Sequence, residues 1–234
     1  MKIGEKLSSV SFFCPAYHDE KNLPKLIPKV AKFLQEITNK YEIIIVEDGS
    51  PDKTGEVADF LAKKFKNVRV IHHEKNMGYG GALKDGFENA KYDYVMYTDG
   101  DNQYDVNEFK RAISLLKDAD VVSGYAKKKA VNFRRKLQSI VFNTAVMALF
   151  SIYIKDINCS MKIYKMRVLK NINIKSFSAF IDAEMIIKAK RNGFKIAQFP
   201  VTHYPRSNGI EGGSKISVIM PTVKDMIKFG LGLL

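Results

Sequence analysis

Apolar residues along the first half of the chain follow two alternating patterns. Short β-branched and aromatic runs at residues 9–15 (SVSFFCP), 41–46 (YEIIIV), 68–71, 92–97 (YDYVMY) and 121–124 predict buried strands. Between them, Leu23, Leu26, Ile27, Val30, Phe33, Leu34 and Ile37 recur at helical spacing, and residues 54–65, 81–90 and 106–116 read as further helices. Repeated strand–helix–strand units require crossover connections, so the expected fold class is α/β with a mainly parallel sheet flanked by helices.

The second half reads differently. Residues 133–154 predict one long helix, 159–164 a strand, and 179–191 a helix stopped by Asn192-Gly193. Residues 195–204 are strand-like but contain Pro200, which places them at a sheet edge or a bend. An amphipathic helix over 216–234 closes the chain as an appendage. No internal repeat, low-complexity tract or linker divides the sequence, so 1–234 reads as a single domain.

Within the long helical segment, residues 137–154 carry no charge, which is close to a membrane-spanning length. Gln138, Ser139, Asn143, Thr144 and Ser151 interrupt that stretch, so the expectation is a helix lying at a membrane interface. Residues 1–10 contain no apolar signal region. Cys14 and Cys159 cannot form a disulfide framework, and a reducing, cytoplasmic location with peripheral membrane association is expected. Lys and Arg number 38 against 25 Asp and Glu, a formal charge of +13 that points to an anionic partner. Nucleic acid is disfavoured: the chain has no tryptophan, and Phe133 is the only aromatic within its basic cluster at 127–136.

In such a sheet, ligands bind beyond the carboxyl ends of the strands. Three of those ends carry acids: Asp19 and Glu20 after the first, Glu47 and Asp48 after the second, and Asp99 and Asp101 after the fourth. Asp118 and Asp120 have the same spacing as Asp99 and Asp101, but they follow a helix. Only the latter pair succeeds a hydrophobic strand, where a hard cation would bridge carboxylates and a ligand phosphate, with Gln103 adding a neutral oxygen. The glycines of Asn76–Gly81 would admit a phosphate or sugar near the backbone, although a plain loop into a helix explains them as well. They match neither a dinucleotide fingerprint nor a P-loop. His72 and His73 are adjacent on a strand, so they face opposite ways and make poor joint metal ligands.

The segments PAYHDEKNL, IIIVEDGSPDKT, NMGYGGALKDGF, TDGDNQY, FRRKLQSIVFN, DINCSMKIYK and PRSNGIEGGSK, taken in order, resemble the family 2 glycosyltransferases. The likeness is to the dolichyl-phosphate mannose synthase-like, polyprenyl-phosphate branch, and it extends over roughly residues 9 to 220. It implies a GT-A fold, Rossmann-like, with a nucleotide-sugar-binding half at 1–125 and an acceptor half at 126–215. It also implies a UDP- or GDP-sugar donor, Mg²⁺ or Mn²⁺, a polyprenyl or dolichyl phosphate acceptor, and a membrane surface as partner. Homo-oligomers are compatible with it. By position, Pro15, Ala16, Tyr17, Glu20 and Gly78 would line the donor pocket, with Glu47 and Asp48 near the base. Asp99 would face the donor sugar or ribose, and Asp101 and Gln103, with Asp99 beside them, would hold the metal. The sequence departs from the family where His18 replaces Asn and Glu47 replaces Asp.

Arg135, Ser139 and Asn143 fall at i, i+4 and i+8 on one predicted helix face, with Arg134 alongside. Arg206 and Lys215 come from PRSNGIEGGSK, whose glycines predict a mobile loop. These six residues are the candidates for binding an acceptor phosphate, because guanidinium forks suit phosphate oxygens. A phosphate acceptor is largely dianionic at neutral pH and requires no strong base. A saccharide hydroxyl acceptor would require one, and Asp182 or Glu184 are then the candidates. A supporting role for both is the preferred expectation.

Overall fold

The computed structural model describes residues 6–131, 133–206, 208 and 215–234. Strands β1 (Val10–Ala16), β2 (Tyr41–Glu47), β3 (Val68–His72), β4 (Tyr94–Tyr97), β5 (Val121–Ala126), β6 (Lys162–Lys165) and β7 (Ile196–Val201) form one sheet, ordered β3-β2-β1-β4-β6-β5-β7. Every pairing is parallel except those of β6, which runs antiparallel to both β4 and β5. β7 is an edge strand, which accommodates Pro200.

The helices are α1 (Leu23–Ile37), α2 (Thr54–Lys64), α3 (Gly78–Asn89), α4 (Phe109–Ile113), α5 (Phe133–Phe150), α6 (Met166–Leu169), α7 (Ile181–Arg191) and α8 (Ile216–Gly230). The helix expected at 106–116 is broken: α4 is flanked by 3₁₀ turns at Val106–Glu108 and Ser114–Lys117. Strand alternation sends Val10, Phe12 and Cys14 of β1, with Ile43 and Ile45 of β2, to one face of the sheet beneath α1, α2 and α4. Phe13, Ile44, Val46 and Tyr97 point to the other face, beneath α3 and α7. There Phe13 stacks on Tyr97 with ring centroids 5.1 Å apart.

The uncharged stretch 137–154 is not one helix. α5 ends at Phe150, Ser151 takes a left-handed φ of 52°, and the chain turns so that Ile152 and Ile154 enter the core. Among the described residues, no helix is long and apolar enough to cross a membrane. Phe133, Leu137, Ile140, Val141 and Leu149 of α5 remain exposed. α8 goes further. It buries Thr222 and Phe229, the latter against Phe150 and Phe180, while Ile216, Met220, Val223, Ile227 and Leu231 form an apolar stripe facing outward.

Candidate active site

The carboxyl ends of β1, β2 and β4 converge, and each loop there is tied down by its own acids. Asp19 is buried and accepts from the Tyr17 amide (3.1 Å) and Asn22 Nδ2 (2.7 Å). Burial pushes its carboxyl above the ordinary range. His18 adopts φ 58°, a conformation that Asn and His tolerate better than most residues, which accounts for histidine standing where the family has asparagine. Pro15 and Tyr17 are partly exposed along this rim, and Ala16 is buried. Glu20 accepts from the Lys53 amide (3.2 Å), fastening the next loop.

Glu47 is occupied. Its carboxylate takes the Ser50 amide (2.5 Å) and His72 Nδ1 (3.3 Å), so it shapes the 48–51 turn and is not presented to a base. Asp48 accepts from His73 and from the Met77 amide. His72 and His73 do face opposite ways, as alternation requires, and each sits between two acids of its own, Glu47 and Asp59 for His72, Asp48 and Asp85 for His73. The glycine-rich stretch owes most of its composition to packing: a side chain on Gly80 would lie 2.3 Å from the Phe177 backbone. Gly78, with φ 79°, opens α3 into free space.

Asp99 and Asp101 follow β4. The Asp99 amide donates to Ser160 Oγ (3.2 Å), while Asp99 Oδ1 is buried with no hydrogen-bond partner among the described residues. Burial, with Asp101 and Asp182 nearby, raises the Asp99 carboxyl to about 7. Asp101 Oδ1 accepts the Gln103 amide (3.0 Å), and Oδ2 holds Arg206 Nη2 at 2.5 Å. Gln103 Nε2 donates to the Tyr204 carbonyl (3.0 Å), so its Oε1 is the end that would face a ligand. A partnerless buried oxygen, crowded carboxylates and a guanidinium already drawn among them fit a divalent cation. No group of three His, Cys, Asp or Glu ligands exists among the described residues, so such an ion would take further ligands from water and a donor diphosphate.

Beneath Asp99 lies a buried polar cluster absent from the sequence reading. Lys162 Nζ, fully enclosed, contacts Asp182 Oδ1 (2.5 Å), Tyr97 Oη (2.9 Å) and the Cys159 carbonyl (2.6 Å). Tyr97 and Tyr79 also donate to Asp182. Asp182 is thereby spent on its neighbours and is no general base. Glu184 is equally engaged, accepting from the Lys175 and Ser176 amides and from Lys188. The one signal that pointed to this cluster was a lone lysine in the apolar run CSMKIY.

Burial raises the Glu184 pKa, but Lys188 and the Ser176 and Lys175 amides outweigh it and hold the carboxyl below its ordinary value. Glu184→Gln is therefore expected to cost about 1.5–3 kcal/mol near neutral pH. With a depressed folded pKa, that advantage is complete above the unfolded value of about 4.3 and vanishes as pH falls through the folded one. Urea titrations of both proteins from pH 7 to pH 3 test this; a gap that stays constant contradicts it.

At the amino end of α5, Arg135 and Ser139 are partly buried and Asn143 is buried, so the three share the inward face, whereas Arg134 is exposed. Ser139 Oγ accepts Lys129 Nζ (2.8 Å), and Lys129 also pairs with Asp156 (2.7 Å), which ties this lysine to the inward face of α5. Asn143 is committed to structure, its Oδ1 taking the Ile157 amide (3.0 Å). Lys215 is exposed at the start of α8. The glycines expected to loosen this loop lie outside the described residues. Arg134, Arg135 and Lys136 put positive charge at a helix amino terminus, which the helix dipole opposes and a bound anion offsets.

A sheet in this order, six strands parallel and β6 reversed, with acids gathered at three strand ends, is the GT-A fold. The profile of Glycosyl transferase family 2 matches residues 11–172, and the chain belongs to that family. It is a glycosyltransferase. Dolichyl-phosphate beta-glucosyltransferase ALG5A of Trichomonas vaginalis is 30% identical over 95% of this chain and 73% of its own length. Dodecaprenyl-phosphate galacturonate synthase of Rhizobium johnstonii is 26% identical over 86% and 60% respectively. Glycosyltransferase AglD of Haloferax volcanii is 27% identical over 96% of this chain, which spans only 36% of that relative. Among solved structures, glucosyl-3-phosphoglycerate synthase from Mycobacterium tuberculosis, in complex with Mn²⁺, UDP and phosphoglyceric acid, superposes with a TM-score of 0.72. At 17% identity, covering all of this chain and 81% of that one, it shares the fold.

Proposed function

We propose that this protein transfers a sugar, with inversion, from a nucleoside-diphosphate sugar to a polyprenyl phosphate at a membrane surface. The observation that carries the reading is the outward apolar stripe of α8, together with exposed apolar residues of α5, on a helix that starts with Arg134 and Arg135. Helices that pack on a core turn apolar faces inward; these turn many outward, beside candidates for binding phosphate. The relatives named for dolichyl and dodecaprenyl phosphates support the same acceptor class.

In this reading Asp101, Gln103 and Asp99 hold a divalent cation, which when bound stabilises negative charge on the departing diphosphate. Arg135 and Ser139 orient the acceptor phosphate, with Arg206 contributing from the loop over Asp101. One acceptor oxygen forms the bond to the anomeric carbon while the bond to the nucleoside diphosphate breaks, its electron pair leaving with the β-phosphate oxygen. The dianion has no proton to lose, so alignment and exclusion of water do the work. A hydroxyl acceptor would need a base, and neither Asp182 nor Glu184 has a carboxylate to spare. We place the nucleotide half at 1–125 and the acceptor half at 126–215 of a single domain.

The test offers radiolabelled UDP- and GDP-sugars to liposomes containing polyprenyl phosphate, with water-soluble saccharides as competitors. A charged lipid product is expected; label found only in saccharide overturns the acceptor assignment. Introducing Ile216→Glu, Met220→Glu and Ile227→Glu together is expected to cut liposome cosedimentation at least tenfold, since tenfold corresponds to only about 1.4 kcal/mol. Unchanged cosedimentation would remove α8 from the membrane contact.

A further inference from the structure

His73 lies just beyond β3 with a side chain only 4% exposed, clasped between two carboxylates. Its Nδ1 is 2.7 Å from Asp48 Oδ1, and its Nε2 is 2.7 Å from Asp85 Oδ2 on α3. A carboxylate accepts, so this placement calls for a donor at each ring nitrogen and favours the protonated imidazole. Burial opposes that charge, but the two acids prevail and hold the imidazole above its ordinary pKa. Asp48 Oδ1 accepts a second bond from the Met77 amide (2.7 Å), and the Asp48 carbonyl takes Asn76 Nδ2 (3.2 Å). Gly49 closes the arrangement: with φ 62°, its Cα sits so near the next loop that a side chain would lie 2.7 Å from Asn76 N.

Two fixed donors therefore consume one oxygen of Asp48. The other, Oδ2, accepts nothing among the described residues, and it stands at the carboxyl end of β2, where the donor nucleotide is placed by the function proposed above. The pyrimidine edge of uracil offers one ring N–H between two carbonyls. The corresponding edge of guanine offers a ring N–H and an amine together, a fork that calls for two acceptor oxygens. We propose that His73 is the positioning residue of the base pocket: by tying down Asp48 Oδ1 it leaves a single acceptor, and so selects a uridine over a guanosine nucleotide. This inference rests on the donor reading above.

The same geometry yields a variant with an opposite preference. In Asp48→Asn, His73 and the Met77 amide both require an oxygen, so the amide oxygen must take the Oδ1 position and the NH₂ must face the base. An outward donor repels the N–H of uracil and suits the bare ring nitrogen of cytosine.

The experiment measures dissociation constants of UDP, GDP and CDP by calorimetry with Mn²⁺ present, on the full chain and on variants whose folding is checked by circular dichroism. The wild type is expected to hold UDP at least tenfold more tightly than GDP. His73→Leu, which removes one of the two donors on Oδ1 and leaves the Met77 amide in place, gives that oxygen a lone pair to offer and should bring the ratio to within about threefold of unity. His73→Asn, whose amide nitrogen replaces Nδ1, should restore it. Asp48→Asn should weaken UDP at least tenfold and bind CDP more tightly than UDP, which serves as the test if the leucine variant does not fold. A wild type preferring GDP overturns the base assignment and leaves the transferase reading standing. Equal loss of UDP and GDP in His73→Leu reduces the histidine to a structural part and overturns the proposal. No binding of any nucleotide by the folded wild type would sink the donor reading itself, and this inference with it.

Discussion

Lys162→Met is expected to destabilise the protein by about 3–5 kcal/mol, because it strands a buried carboxylate that has lost the cation paired with it. Asp182 would retain the hydroxyls of Tyr97 and Tyr79, but two neutral donors do not offset a buried charge. For a domain of this size, each kcal/mol lowers the midpoint of thermal unfolding by about 2–4 °C, so a fall of at least 6 °C should be visible by calorimetry. The double variant Lys162→Met, Asp182→Asn removes the stranded charge and keeps an oxygen for the tyrosines, so it should recover part of the loss. If the double variant is no more stable than the single one, the effect comes from packing of the lysine stem and not from its charge. The pair also bears on the site above it. Asp182 is one of the charges that raise Asp99, and Lys162 counterbalances it, so this cluster sets the field under the carboxylates proposed to meet the donor.

The alternating sheet was legible because strands buried on both faces read as short β-branched runs, while the longer helices between them keep a 3.6-residue apolar period. Residues 41–46 and the spacing from Leu23 to Ile37 leave little room for another reading, and α1 occupies those very residues. Legibility failed where tertiary contacts override local pattern. Ser151 ends α5 four residues early because Ile152 and Ile154 are wanted in the core, and no glycine or proline announces the turn. The strand expected from residue 159 begins only at Lys162, after a stretch whose Cys159 carbonyl is turned to the lysine.

The acids at the strand ends could be picked out because topology assigns them a common edge. Their partners could not. His73 reaches back to Asp48 and forward to Asp85, and Lys162 reaches forward to Asp182, so no local motif joins them. Glu47 shows the converse. Its position beside Asp48 invited a role in base contact, yet His72 and the Ser50 amide consume it. Neighbours in sequence were separated by which way a strand turns each side chain, and distant residues were joined by the same rule.

Asp101→Ala is expected to lower transfer about a thousandfold or more, since stabilising charge on the leaving diphosphate is worth several kcal/mol and each 1.36 kcal/mol is tenfold in rate. Its distinguishing mark is in binding: the increase in nucleotide affinity that Mn²⁺ brings should disappear, whereas affinity without metal should change little. Arg206→Ala separates the metal from the guanidinium that sits on Asp101 Oδ2 in this structure. A cation entering there must displace a charged hydrogen bond worth about 1.5–3 kcal/mol, so removing Arg206 should tighten binding of Mn²⁺ alone about tenfold or more. Electron paramagnetic resonance of free Mn²⁺ reads that change without any turnover. A cation that took its place on Asp101 would release this contact of the arginine toward a phosphate, so the expected order of arrival is metal and donor first, acceptor second. Transfer should fall in Arg206→Ala even as the metal binds better, and a variant that binds Mn²⁺ no more tightly than the wild type would show that the guanidinium does not guard the seat.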